Sequence, residues 1–126
     1  MKWKKKGVIL EPAKYNLPNN CNEVAQSPQT LVFDDFVRVY FSTRKMDTAT
    51  GKYLSFIAFA DFDKSFTQVM RLSTENVIAL GGLGTFDEHG IFPINILRHK
   101  DKILAYTCGW SRRVSVSVET STGLAV

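Results

Sequence analysis

Two stretches of this chain can be laid over each other, and that overlay constrains the fold more than any other feature. The first runs from Ser27 through Pro28 to Tyr40, the second from Phe92 through Pro93 to Tyr106. Each holds a proline, an extended apolar run, a charged turn and a second extended run that ends on the tyrosine. The turns are Asp34-Asp35 in one copy and His99-Lys100-Asp101 in the other. The two prolines stand 65 positions apart, and proline to tyrosine is 12 residues in the first copy and 13 in the second. The competing reading is two β-hairpins that resemble each other by chance.

The rest of the chain agrees with a β reading. Phe36–Thr43 is apolar on both faces, with Val37, Val39 and Phe41 on one and Phe36 and Tyr40 on the other, as in a strand inside a packed sheet. Tyr53–Ala60, Thr67–Leu72, Ile91–Leu97 and Lys102–Cys108 read as further strands, and Asp61–Lys64 and Trp110–Arg113 as turns. Val114–Val118 alternates strictly and reads as a strand with one solvated face. Val77–Leu80 is a short apolar run before a glycine-rich connection over 81–90. Residues 7–10 form another such run, which gives an N-terminal strand followed by a Pro- and Asn-rich loop over 11–28. No strong amphipathic helix is present. About eight short strands at regular spacing, repeated with this period, predict an all-β chain of about two β-propeller blades, each an antiparallel four-stranded sheet. The expected limits are one domain over 1–126, with blade one over 27–80, blade two over 90–126 and an N-terminal strand and loop over 1–26.

Charge and cysteine content remove several function classes. The formal net charge is +4, but Lys2, Lys4, Lys5 and Lys6 supply it, and the other 12 basic residues balance the 12 acidic ones. A nucleic-acid binder carries its basic residues along a face or groove, so nucleic acid is not the expected partner. The bland reading of residues 2–6 is a solvated segment anchored only by Trp3. Cys21 and Cys108 form no CxxC pair, and no Cys/His spacing suits zinc, so no metal or other cofactor is expected. No apolar run reaches membrane-spanning or signal-peptide length. The chain reads as cytoplasmic with both thiols reduced, although a Cys21–Cys108 bridge stays open on sequence alone. Gly81-Gly82-Leu83-Gly84 lacks the Lys-Ser/Thr of a phosphate loop.

Several runs carry a family resemblance. They are Met1–Gly7, Ala25-Gln26-Ser27-Pro28, Arg38-Val39-Tyr40-Phe41-Ser42-Thr43-Arg44, Gly84-Thr85-Phe86-Asp87-Glu88-His89-Gly90 and Gly123-Leu124-Ala125. Together they resemble the N-terminal part of five-bladed β-propeller proteins related to the glycoside hydrolase family 43, 32 and 130 superfamilies. The resemblance covers nearly the whole chain, and complete members are longer. It implies an incomplete propeller with glycosidase-like ancestry, a possible carbohydrate ligand, and doubtful hydrolysis because later blades supply part of a catalytic site. Val24 stands where such proteins tend to carry a histidine.

Within that frame Asp87 is the catalytic candidate, because glycoside hydrolysis works through two carboxyl groups across the scissile bond. His89, Arg44 and Gln26 are candidate substrate-binding groups, and Trp110 is a candidate stacking surface. Each also has a structural reading: Asp87 and His89 as turn-shaping residues, Arg44 as a satisfied structural arginine, Trp110 as a buried strand end. Asp34, Asp35, Asp61 and Asp63 read as turn acids, and His99 as a solvated turn residue. Two blades leave apolar faces uncovered, so a homo-oligomer joined through those faces is expected. The rival to a carbohydrate-binding module is a non-enzymatic oligomeric interaction module.

Overall fold

The computed structural model describes residues 2–126, and every regular element longer than a single turn is a β-strand. The strands are β1 (Gln26–Val32), β2 (Val37–Asp47), β3 (Lys52–Phe62), β4 (Val69–Leu72), β5 (Gly90–His99), β6 (Lys102–Ser111) and β7 (Glu119–Ala125). Two short 3-10 turns, Pro12–Lys14 and Pro18–Asn20, interrupt the N-terminal loop. Strands β1 to β4 form an antiparallel meander, and β5 to β7 form a second one. The meanders join where Ser55 of β3 meets Gly90 of β5 in parallel, which makes one open, mixed seven-stranded sheet.

The two sequence copies occupy matching places. Pro28 sits in an irregularity of β1 and Pro93 borders one in β5. Proline cannot donate to a ladder, so such positions accommodate it. Just beyond each irregularity an amide side chain faces the repeat tyrosine: Gln29 opposite Tyr40, Asn95 opposite Tyr106.

Burial differs between the two halves. One core cluster packs Val39, Phe41, Ala58, Ala60 and Phe62 against Leu17, with Leu10 at its margin. The N-terminal loop therefore lines the outer face of the first meander, and the Thr43 hydroxyl donates to the Cys21 carbonyl at 2.8 Å to fasten it. The other cluster lies between the meanders, where Leu31, Tyr40 and Ile57 meet Ile91 and Ile96. So β2 and β3 bury both faces, whereas the outer face of the second meander leaves Tyr106 and Leu124 exposed.

Several sequence expectations change here. Among the described residues there are seven strands rather than about eight. Residues 7–10 form no N-terminal strand; Val8 and Ile9 are exposed and Leu10 packs on the core instead. Trp3 anchors nothing, being 94% exposed. Val77–Leu80 pairs into no strand, although the Val77 amide donates to Ile57 and both Ile78 and Leu80 pack on the inner cluster. Asp61 lies inside β3 rather than in a turn, and Trp110 and Ser111 end β6 rather than start a turn. Val114–Val118 is the connection between β6 and β7, with Val114, Val116 and Val118 exposed. The reason is register: Ser111 pairs with Glu119, so residues 112–118 must carry the chain around. Cys21 and Cys108 are both free, and burial pushes the Cys21 thiol up to about 11. Among the described residues no helix is long and apolar enough to cross a membrane.

Candidate functional site

One rung of the sheet crosses the junction between the meanders. Arg44 of β2 pairs with Ser55 of β3, Ser55 with Gly90 of β5, Gly90 with Trp110 of β6, and Trp110 with Thr120 of β7. Arg44 and Trp110 each stand four residues beyond the repeat tyrosine, so they are matching positions of the two sequence copies. The parallel bridge sets these two positions on one rung, with Ser55 and Gly90 between them. It is held by the Ser55 amide, which donates to the His89 carbonyl at 3.2 Å, and by the His89 amide, which donates to the Trp110 carbonyl at 3.2 Å.

A cleft of about 510 Å³ opens over this rung. Arg44 and Tyr53 line it from the first meander, and Phe92, Trp110 and Thr120 from the second. Lys52 and Arg112 complete the rim. Trp110 is seated by Gly90: a methyl group on Gly90 would come within 1.5 Å of the indole Nε1. The Arg112 guanidinium lies 5.2 Å from the Trp110 ring centre and donates to the Tyr53 carbonyl, which ties the rim of β3 to the end of β6.

The charges around the cleft are one-sided. It is lined by two arginines and a lysine and by none of the chain's 12 acidic residues. Nearby carboxylates already have partners: Asp47, opposite Lys52 in the ladder, accepts the Ala49 amide and the Thr50 hydroxyl. Glu23, beside the Tyr53 hydroxyl, raises the phenol pKa by hydrogen bonding and by charge. Glu88 accepts the Gly84 amide at 2.8 Å and faces His89 Nε2 at 3.6 Å. Among the described residues Arg44 has no carboxylate partner, and its Nε is buried without an acceptor. The Trp110 Nε1 and the Ser55 hydroxyl are also buried and unpaired, so three such atoms lie on this rung, while the unpaired Ser111 hydroxyl lies on the other face of β6 with Phe86. Each unmet buried polar group costs about 1–3 kcal/mol.

The sequence candidates thus divide. Arg44 and Trp110 come together in the cleft. His89 lies against Trp110 with ring centres 6.0 Å apart, and its Nδ1 accepts the Arg112 amide at 3.3 Å, which orients the ring and leaves Nε2 toward Glu88. Gln26 borders a neighbouring depression that shares Phe92 with the cleft. Asp87 does not line the cleft. It accepts the Thr85 hydroxyl at 3.0 Å and packs, with Phe86, where a side chain on Gly109 would stand. Gly109 and Trp110 are adjacent in a strand and present opposite faces, so Asp87 sits on the far side of β6 from the cleft. The sequence reading missed Tyr53, Phe92, Lys52 and Arg112. The available signal was spacing: Arg112 is two residues beyond Trp110, and Tyr53 two residues before the bridging Ser55.

Among the described residues no group of three His, Cys, Asp or Glu side chains is placed to hold a metal ion. The chain is similar to two uncharacterized proteins of Mycobacterium tuberculosis, one from strain CDC 1551 / Oshkosh and one from strain ATCC 25618 / H37Rv. Each is 28% identical over 127 residues, covering 100% of this chain and 40% of the relative. The chain therefore spans well under half the length of the curated relatives it matches. No family model matches, and no solved structure matches.

Proposed function

We propose that this chain is a non-catalytic carbohydrate-binding module made of two propeller-type blades, the β1–β4 meander and the incomplete β5–β7 meander. The matched positions of the two sequence copies and the resemblance to propeller glycosidases support the blade reading. The observation that carries the functional reading is the cleft itself, in which Tyr53, Phe92 and Trp110 meet the donors of Arg44 and Lys52. Aromatic faces cover the apolar side of a sugar ring, while the cations bind its oxygens. Hydrolysis is not part of the proposal. Two carboxyl groups must flank a scissile bond, and the lining supplies none.

The test is a glycan panel read by calorimetry or by ligand-observed NMR on the 126-residue chain. At least one sugar is expected to bind, and Trp110→Ala or Tyr53→Ala is expected to weaken it about tenfold or more, as for loss of a stacked aromatic. Aryl glycosides are expected to show no turnover. Silence across the panel, or equal binding by both variants, defeats the proposal. A second reading, an interaction module that self-associates, is favoured by the exposed Ile94, Tyr106 and Leu124 on the second meander.

A further inference from the structure

We infer that the cleft selects acidic sugars, in which a carboxylate or phosphate carried on the ring pairs with Arg44. The inference rests on the carbohydrate reading above and adds the class of sugar.

Three observations converge on it. The first is the imbalance of charge, because the lining holds Arg44, Arg112 and Lys52 and no acid. The second is the state of Arg44. Its Nε is buried without an acceptor, and among the described residues no carboxylate pairs with it. Compare Arg38, which holds Asp61 through two bonds at 2.7 and 3.0 Å, and Arg113, which holds Glu119 at 2.6 Å. Among the described residues Arg38, Arg71 and Arg113 pair with carboxylates whereas Arg44, Arg98 and Arg112 do not, and of these three Arg44 is the one with a buried Nε that lacks an acceptor. The third is position. Arg44 stands on the same rung as Trp110, so a ring covering the aromatic surface brings a ring substituent toward the guanidinium. A guanidinium fork fits a carboxylate or phosphate in two parallel bonds, which a neutral hydroxyl cannot match. Arg112 does not take the same role, since it already donates to the Tyr53 carbonyl and lies over Trp110.

Other charged groups face this region and set the limits of the effect. Glu23 at the Tyr53 hydroxyl, Glu88 beside His89 and Asp47, opposite Lys52 in the ladder and within reach of the Arg112 charge, are the neighbouring negative charges. All three already have hydrogen-bond partners, and they reduce the positive field of Lys52 and Arg112.

The experiment compares matched ligands on the same chain: methyl glucoside, methyl glucuronide, glucose 6-phosphate, inorganic phosphate and acetate. The expected result is that the glucuronide or the sugar phosphate binds about tenfold or more tighter than the neutral glucoside, as one charge-assisted contact allows. That advantage is expected to vanish in Arg44→Gln, so that acidic and neutral rings bind this variant equally, each more weakly than wild type binds the acidic ring. Arg44→Lys is expected to retain part of it. If Arg44→Gln does not fold, added salt gives the same answer on the wild type, because it must erode the acidic advantage and spare the neutral ring. Equal binding of neutral and acidic rings overturns the inference and leaves the carbohydrate reading standing. Inorganic phosphate binding as tightly as the sugar phosphate also overturns it, since the ring would then contribute nothing. If no sugar of either kind binds, it is the carbohydrate reading that fails.

Discussion

Asp61 shows what a single side chain does for this sheet. It is 3% exposed and pairs directly across the ladders with Arg38 on one side and Arg71 on the other, so one carboxylate links β2, β3 and β4. Arg38 approaches with both oxygens in reach and lies 3.8 Å from the Phe59 ring centre, whereas the Arg71 side chain is 59% exposed. Burial alone would oppose ionisation, but the hydrogen bonds and charges of Arg38 and Arg71 outweigh it and hold the carboxyl below its ordinary range. A folded pKa below the unfolded value of about 3.9 gives stability that is fully present above that value. It is lost as pH falls through the lower folded value. Asp61→Asn is therefore expected to cost about 3–5 kcal/mol at neutral pH, since it leaves Arg38 buried beside an uncharged partner. The gap to wild type should shrink below about pH 4. Denaturant titrations at neutral and acid pH check both. Arg71→Ala, on the exposed side, is expected to cost only about 0–1 kcal/mol. An equal loss for the Arg71 variant, or a pH-independent gap for Asp61→Asn, contradicts the account. Asp63 titrates in the same acid window, its pKa lowered to about 2 by bonds from Ser65, Gln68 and Thr67, so some acid sensitivity remains in every variant. In the sequence the two acids look alike. Asp63 does cap a turn, as its local hydrogen bonds allow, but the role of Asp61 depends on arginines 23 and 10 residues away and is invisible locally.

At the scale of the element, the informative strand is β6. Its end carries Trp110, and that side chain can lie flat only because Gly90 opposite it has none. Gly90→Ala is expected to expel the indole. A methyl group cannot share the space, and overpacking of this kind costs about 1–3 kcal/mol. The readout is tryptophan emission in a Trp3→Phe background, which removes the exposed indole. The emission should shift to the red in Gly90→Ala, and sugar binding should fall with it. Unchanged emission would mean that Trp110 is seated by other contacts. The same strand marks the limit of sequence reading. The repeat register and the charged turn inside each copy were legible, because proline, charged turns and tyrosine punctuate both copies, whereas the match of Arg44 with Trp110 lies beyond the overlay, which ended at the tyrosines. The boundary between β6 and β7 was not. Val114, Val116 and Val118 alternate as a strand does, yet β6 runs on to Ser111 and leaves them in the connection. Alternation reports a surface that can pair, and the partner register decides whether it does. Asp87 was misplaced relative to the cleft for a related reason. Its loop drops Phe86 against Gly109 and Gly123, and nothing within the loop itself announces which face of β6 those two glycines open.

At the scale of the molecule, the two meanders have been finished differently. The first has the N-terminal loop across its outer face through Leu10, Leu17 and Cys21, and both faces of β2 and β3 are buried as a result. The second has only its inner face covered. Tyr106 and Leu124 pair across β6 and β7 on the other face and are 39% and 57% exposed, with Ile94 at 46% beside the irregularity of β5. The chain corresponds to 40% of the curated relatives' length. A second copy of the chain offers the same three apolar side chains as a matching surface. Self-association is thus expected at micromolar concentration, with the outer faces of two second meanders in contact. Sedimentation velocity tests it: the wild type should run as a dimer or larger species. Leu124→Lys combined with Tyr106→Lys should move it toward monomer, because like charges placed opposite each other in the contact repel and the apolar area is reduced. Far-UV circular dichroism on the double variant guards against simple unfolding. Both positions are exposed, so the strands should survive the change. The cleft lies at the end of the same meander but is lined by Trp110, Phe92 and Arg44 rather than by these two residues, so sugar binding by the monomeric variant separates the two surfaces. A wild type that sediments as a clean monomer would show that this apolar face tolerates water, and the unequal finishing of the two meanders would then need no second copy.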